Sequence, residues 1–277
     1  MIYSFFHGLL YRFVNKFYKL VKKNAWKNIP INNSTTYFNS DFQLFDPHMV
    51  GTDTISLKAT SSEVIKGVSN VLDKLEPEPC INFVKSFMNK GLTNFNNHWV
   101  YADINTVLYA IANIIKVENY LEIGVRRGRS LCVMASQSKN TNIYGFDLWI
   151  KNYTGVDNPG PEFVKLELKK FNHNGKLVFI DGDSKYTIPS FFNSQKDLYF
   201  DVITVDGDHS LRGATIDLKN VIKRLKIGGI LVFDDISSHE HPYLNGVWEK
   251  VIKSKKNFHT WEFRDVGLGV AFAIRKY

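Results

Sequence analysis

From Asn119 onward the chain alternates between short apolar runs and stretches whose apolar residues recur at helical spacing. Strands are predicted near 119–123, 142–147, 176–180, 200–205 and 229–234, with helices near 130–138, 161–172, 185–193 and 211–226. This alternation predicts an α/β fold, a parallel sheet with helices on both faces. Two β-rich runs, Thr260 to Arg264 and Gly269 to Arg275, close the chain and predict an antiparallel edge.

The first 118 residues follow another pattern. Ile2, Phe5, Phe6, Leu9, Leu10, Phe13, Phe17, Leu20 and Val21 lie at near-helical spacing, with Lys and Arg between them. Residues 1–27 therefore read as a basic amphipathic helix, suited to an anionic membrane surface or to packing against a partner subunit or its own domain. Residues 28–60, rich in Asn, Thr, Ser and Asp and carrying Pro30 and Pro47, read as an irregular connector. Helices are predicted over Ser62 to Leu75, Ile81 to Asn89 and Trp99 to Ile115. The expected division is a helix over 1–27, a connector and helical cap over 28–118, and an α/β domain over 119–277.

Composition narrows the functional classes. The chain has 277 residues, 44% of them hydrophobic and 14% aromatic, which is ample for a folded core. Its net charge of +8 raises the question of nucleic acid, but much of the excess lies in residues 1–27 and in surface runs such as Lys250 to Lys256. Those read as solvated faces, and with no recognisable nucleic-acid module no such partner is expected. No uninterrupted apolar run approaches the roughly 18 residues of a membrane span, and the N-terminus lacks a signal-peptide pattern. Cys80 and Cys132 show no metal-type spacing and suit a reducing cytoplasm, with peripheral membrane contact through residues 1–23 left open.

The candidate chemistry lies at the ends of the strands, where doubly wound sheets bind their ligands. Residues 119–130, N-Y-L-E-I-G-V-R-R-G-R-S, read as a strand, a tight loop through Gly124 and Gly128, and a helix start at Ser130. That junction lets backbone approach a nucleotide-like ligand, although the G-x-G-x-x-G of dinucleotide binders is absent. The second strand ends at Asp147, about 20 residues on, where a carboxylate can accept hydrogen bonds from both hydroxyls of a ribose. The third ends in Gly182, Asp183 and Ser184, suited to an adenine edge, though Ser184 equally suits a helix N-cap. The fourth ends in Asp206, Asp208 and His209, and the fifth in Asp234 and Asp235. Carboxylates gathered at one rim repel one another unless neutralised. A divalent cation such as Mg²⁺, bound through oxygen, does this and keeps positions open for water or substrate.

Taken together, L-E-I-G-V-R-R-G-R-S, D-G-D-H-S and L-K-I-G-G-I-L-V-F-D-D resemble the class I S-adenosylmethionine-dependent methyltransferases. Within that class they look most like the metal-dependent small-molecule O-methyltransferases, a group with macrolide-sugar O-methyltransferases and cephalosporin-hydroxylase-type relatives. The likeness covers residues 119–275 and none of residues 1–118. It implies a Rossmann-like, doubly wound, mostly parallel seven-stranded sheet with an antiparallel edge strand, behind a helical N-terminal extension. It implies S-adenosyl-L-methionine as cofactor, with Glu122, Gly124, Gly128 and Ser130 at its methionine part, Asp147 at the ribose, and Gly182, Asp183 and Ser184 at the adenine. Asp206, Asp234 and Asp235 would hold Mg²⁺ or another divalent cation, with Asp206 also bordering the cofactor.

His209 stands where sugar-modifying relatives place their general base. Asp208 is a rival base or a group that orients His209, and metal activation without a side-chain base is the third option. The implied reaction is methyl transfer to a hydroxyl of a small molecule, a sugar or glycosylated metabolite. Its rivals are an aromatic hydroxyl, a membrane-associated glycan and a non-catalytic cofactor-binding role. Trp149 to Pro161, with Tyr153 and Asn158, and the run His239, His241 and Tyr243 are the substrate-facing candidates. The pattern gives Arg126 and Arg127 no role and leaves a homo-oligomer open.

Overall fold

The computed structural model describes residues 48–152 and 157–277, together with Phe13, Val14, Lys16, Pro30 and Asn32. All but three residues of the amphipathic helix expected over 1–27, and most of the connector expected over 28–60, lie outside the described residues, as does Tyr153. The strands are β1 Asn119–Ile123, β2 Asn142–Asp147, β3 Leu177–Asp181, β4 Phe200–Val205, β5 Leu225–Asp234, β6 Phe258–Phe263 and β7 Val270–Arg275. They form a single seven-stranded sheet in the order β3-β2-β1-β4-β5-β7-β6. The first five pair in parallel, whereas β7 runs against both β5 and β6 and sits one place in from the edge. The expected fold is present, a Rossmann-like sheet between helices.

Helices α1 Thr52–Ala59, α2 Ser62–Leu72, α3 Pro79–Phe95, α4 Ile104–Ile114, α5 Arg129–Gln137 and α6 Pro161–Lys169 precede β3. Helices α7 Ser184–Ser194, α8 Leu211–Val221 and α9 Tyr243–Trp248 follow it. Alternate strand residues divide between two cores, which is the pleat acting on strands covered on both sides. Tyr120, Val202, Ile230, Val232 and Phe272 join the N-terminal helices and α5 in one core. Leu121, Ile203, Leu231, Phe233 and Ala273 join α7, α8 and α9 in the other. The helices before residue 119 thus share a core with the sheet. They form one of its covering layers, with Val64, Ile65, Val68, Val107, Leu108 and Ile111 fully buried.

Several boundaries differ from expectation: α3 runs on to Phe95, α4 starts at Ile104 and α8 ends at Val221, while the differences at α1 and β5 each have a physical reason. Helix α1 occupies part of the expected irregular connector. Its sequence is polar, but Ile55 and Ala59, one helical turn apart, are fully buried, so packing rather than periodicity sets it. Strand β5 starts at Leu225 rather than near 229, because the register against β4 shifts between Phe200 and Val202. The polar-looking start of β5 is buried there: Lys226 Nζ donates to Asp201 Oδ1 at 2.7 Å, and Gly228 takes φ 73°.

The register brings the functional ends level. Ile123 pairs with Phe146 and with Val205, and Val205 pairs with Phe233. Gly124, Asp147, Asp206 and Asp234, each one residue further on, therefore emerge along one edge, with β1 between β2 and β4 at the point where the strand order reverses.

Candidate functional site

The glycine loop is built by close backbone approach. Gly124 has φ 91° and donates its N–H to Phe146 O at 2.9 Å, and a Cβ there would overlap the Asp206 carbonyl oxygen. Gly128, at φ 72°, is the N-cap of α5 and supplies no side chain to cap it. Asp147 braces the loop from the end of β2. Its Oδ2 accepts from the Arg126 N–H at 2.8 Å, and its Oδ1 from the Trp149 N–H at 2.7 Å and Asn158 Nδ2 at 3.2 Å. The carboxylate expected at a ribose is thus also the anchor that shapes the loop.

Glu122 stands behind that loop, fully buried. Its carboxylate accepts hydrogen bonds from the Tyr120 hydroxyl and, at 2.6 Å, from Ser130 Oγ, and the hydroxyls of Tyr120 and Thr204 share a further bond of 2.8 Å. Burial pushes its pKa up to about 8 against the lowering effect of those two hydroxyls. Both oxygens being engaged internally, Glu122 touches the rim only through Ser130.

At the end of β3, Asp183 is the N-cap of α7, its Oδ1 accepting from the Lys185 N–H at 2.9 Å. Ser184, expected as cap or ligand contact, leaves the cap to Asp183 and donates to Asp217 Oδ1 at 2.6 Å. That bond ties α7 to α8. Asp217 is itself buried, which raises its pKa to about 6. Gly182 turns the chain at φ 125° and donates to Asp147 O at 3.0 Å.

The acidic rim follows at β4 and β5. The ligand atoms of Asp206, His209 and Asp235 lie within 4.8 Å of one another. His209 Nε2 is 3.2 Å from Asp206 Oδ1, and its Nδ1 is 3.7 Å from Asp235 Oδ2. The Asp206 hydrogen bond holds the imidazole above its ordinary pKa of 6.5, against the lowering effect of burial. Burial, then the charge of Asp206, raises Asp235 to about 6, and the residue takes φ 62°. Asp234 lies outside that group of three but within its field, since burial, Asp206 and Asp235 all raise its pKa well above the carboxylate range. Asp208 turns back from the group: its Oδ1 caps the Ser210 N–H at 2.8 Å, and its carboxyl lies over Gly213. His241 stands edge-on to His209 with ring centroids 5.2 Å apart, and its Nδ1 is 3.1 Å from the Tyr243 hydroxyl.

Several participants are invisible in the sequence. Arg126 pairs with Glu78 at 3.3 Å, and Arg127 with Asp157 at 3.0 Å while lying over the Phe163 ring at 4.4 Å. The two arginines therefore fasten α3 and the segment before α6 to the glycine loop, a long-range pairing with no sequence signal. Because Asp157 is largely exposed, Arg127→Met is expected to cost only about 1 kcal/mol. Thermal denaturation would register it as a fall of about 2–4 °C in Tm. Tyr101, buried beside Asp103 and stacked on Trp99 at 4.7 Å, brings an aromatic wall to the rim, and Asp234 adds to the rise in its pKa.

Comparison with known proteins bears on this arrangement. Residues 121–236 match the family model described as a methyltransferase domain. The chain is 30% identical over 143 residues to tapetum-specific methyltransferase 1 of Arabidopsis thaliana. That match spans 51% of this chain and 57% of the curated relative's length. Among solved structures, the O-methyltransferase TomG of Streptomyces achromogenes, in complex with SAM, aligns with a TM-score of 0.51 at 15% identity, covering 83% of this chain and 100% of that one. Cofactor-bound Rv0187 from MTB aligns at 0.52 and 16%, covering 73% and 99%. At these identities the structural likeness is one of fold. Among the described residues, no helix is long and apolar enough to cross a membrane.

Proposed function

We infer that this chain, whose residues 121–236 match the methyltransferase domain family model, is a class I S-adenosylmethionine-dependent O-methyltransferase acting on a hydroxyl of a small molecule. The observation that carries the reading is the side-by-side emergence of an uncapped glycine loop and an acidic, imidazole-bearing rim at the reversal point of the sheet. The loop suits the cofactor, with Gly124, Gly128 and Ser130 toward its methionine part, Asp147 toward the ribose and Gly182 toward the adenine. The rim suits a nucleophilic oxygen and its proton.

The donors at the rim fit a divalent cation. Burial first, and then the charges of the neighbouring aspartates, keep both Asp234 and Asp235 raised, and a cation bound among Asp206, Asp234 and Asp235 would offset the repulsive part. Bound there, a cation would lower the pKa of an acceptor hydroxyl by Lewis acidity. Mg²⁺ takes oxygen ligands, whereas an imidazole inside the set favours a first-row transition ion. Whether His209 ligates or serves as the base therefore decides which ion is preferred. As base, His209 takes the proton of the attacking hydroxyl while Asp206 orients the ring through its 3.2 Å bond. Asp208, folded back onto α8, is less well placed for that role.

A sugar or glycosylated acceptor is supported by the polar cluster of His209, His241 and Tyr243, groups that hydrogen-bond to polyols. The Trp99–Tyr101 stack favours the second reading, an aromatic hydroxyl.

The test is calorimetric titration with S-adenosylhomocysteine, then with Mg²⁺ and Mn²⁺, of wild type and Asp235→Ala. Cofactor product is expected to bind both proteins, and the cation heat to vanish in the variant. Absence of any S-adenosylhomocysteine binding to wild type would sink the methyltransferase reading. An unchanged cation signal in Asp235→Ala would remove the metal from this rim.

A further inference from the structure

We propose that Arg129 takes the α-carboxylate of the bound cofactor. The proposal rests on the S-adenosylmethionine reading above and assigns a contact within the same site. Of the three arginines between Gly124 and Ser130, Arg126 is paired with Glu78, and Arg127 with Asp157. Arg129 forms no hydrogen bond through its side chain and no ion pair among the described residues, and its Nε is buried without a partner. A buried donor left unmade costs about 1–3 kcal/mol. Arg129 is also the first residue of α5, where the helix dipole disfavours a cation. A side chain that breaks two local rules at a ligand-facing junction is one whose compensation comes from the ligand.

The surroundings say what that ligand group is. The charge of Arg129 acts on Glu122, Asp235 and Tyr101, so its field reaches the ends of both β1 and β5. Neither nearby carboxylate takes the guanidinium: Glu122 is engaged by Tyr120 and Ser130, and Asp235 faces His209. The start of α5 makes the same demand, since Gly128 leaves its first-turn N–H groups without a side-chain cap, and such groups favour an anion. A guanidinium beside uncapped amides matches a carboxylate, which it can hold through two parallel N–H···O bonds. The cofactor carries one on its methionine part, the part that Gly128 and Ser130 flank on either side of Arg129. An anionic group on the acceptor offers the same chemistry from the other direction.

The experiment compares S-adenosylhomocysteine with its decarboxylated analogue, each titrated calorimetrically into wild type, R129Q and R129K. Wild type is expected to bind the carboxylate-bearing ligand at least about tenfold more tightly. R129Q is expected to bind the two about equally, having lost affinity for S-adenosylhomocysteine alone. R129K, which keeps the charge without the fork, should fall between, and it supplies the comparison should R129Q fail to fold. Equal weakening of both ligands in R129Q would make Arg129 a counter-charge for the rim and overturn the proposal. Unchanged affinity for both ligands in R129Q would leave the guanidinium to an anionic acceptor and overturn it as well. Equal binding of both ligands by wild type would do the same while leaving the methyltransferase reading intact. If wild type bound neither, that reading would fail first and take this one with it.

Discussion

Glu122→Gln is expected to match wild type in stability near pH 5 and to exceed it increasingly up to about pH 8. The carboxyl is fully buried, and burial raises its pKa from the ordinary 4.5 to about 8. An acid whose folded pKa is raised contributes stability below its unfolded pKa, and that contribution is lost as pH rises through the folded value. The loss therefore begins above about pH 4.5 and is complete just above pH 8. A shift of this size corresponds to something on the order of 3–5 kcal/mol at 1.36 kcal/mol per unit. Glutamine has the same shape, cannot ionise, and can meet the Tyr120 and Ser130 hydroxyls by accepting from one and donating to the other. Urea denaturation at pH 5, 7 and 8.5 gives the difference directly. A variant that tracks wild type at all three values would mean that Glu122 stays charged in the fold, with Arg129 as its partner.

The same residue illustrates what the sequence carries and what it does not. Glu122 is legible as the last polar position before the glycine, because a strand ending in Glu-Ile-Gly is a local pattern. Its isolation behind Ser130 is not legible, since that depends on Tyr120 meeting it while bonded to Thr204 of the neighbouring strand. The strand bounds of β1, β2 and β4 follow from short apolar runs, and the rim aspartates follow from reading where those runs stop. Strand β5 reads short because Lys226 and Gly228 look like turn residues until Asp201 is brought beneath them. Helix α1 reads as irregular because two buried apolar residues, Ile55 and Ala59, are too few to make a periodic pattern. Ser184 suits cap and ligand equally in the sequence, and its actual partner, Asp217, is 33 positions away. Pairings of that range, like those of Arg126 and Arg127 with Glu78 and Asp157, exist only after the chain has folded. Arg129 does leave a local trace, a cation at the first position of a helix, where dipoles argue against it.

The glycine loop gives the sharpest structural expectation. Gly124→Ala should destabilise the protein by at least about 3 kcal/mol and abolish S-adenosylhomocysteine binding in whatever fraction remains folded. At φ 91° an L-residue is strained, a cost of roughly 1–3 kcal/mol before any contact is counted. The added methyl would then overlap the Asp206 carbonyl, with the Gly207 backbone close behind it. Neither neighbour is a flexible side-chain end, and Asp206 N–H is bonded to Ile123 O at 2.9 Å, so relief requires parting the ends of β1 and β4. That movement displaces Asp206 from His209 and so strikes the glycine loop and the acidic rim together. Gly246→Ala is the matched control: nothing lies within 4 Å of its added methyl, it sits inside α9, and helix propensity favours alanine there by about 0.5–1 kcal/mol. Urea unfolding of both variants, with a ligand titration on each, separates a loop held by backbone contact from one that merely contains a glycine. If Gly124→Ala unfolded with a loss below about 1 kcal/mol and bound ligand normally, the close approach of β1 and β4 would not be what shapes the site.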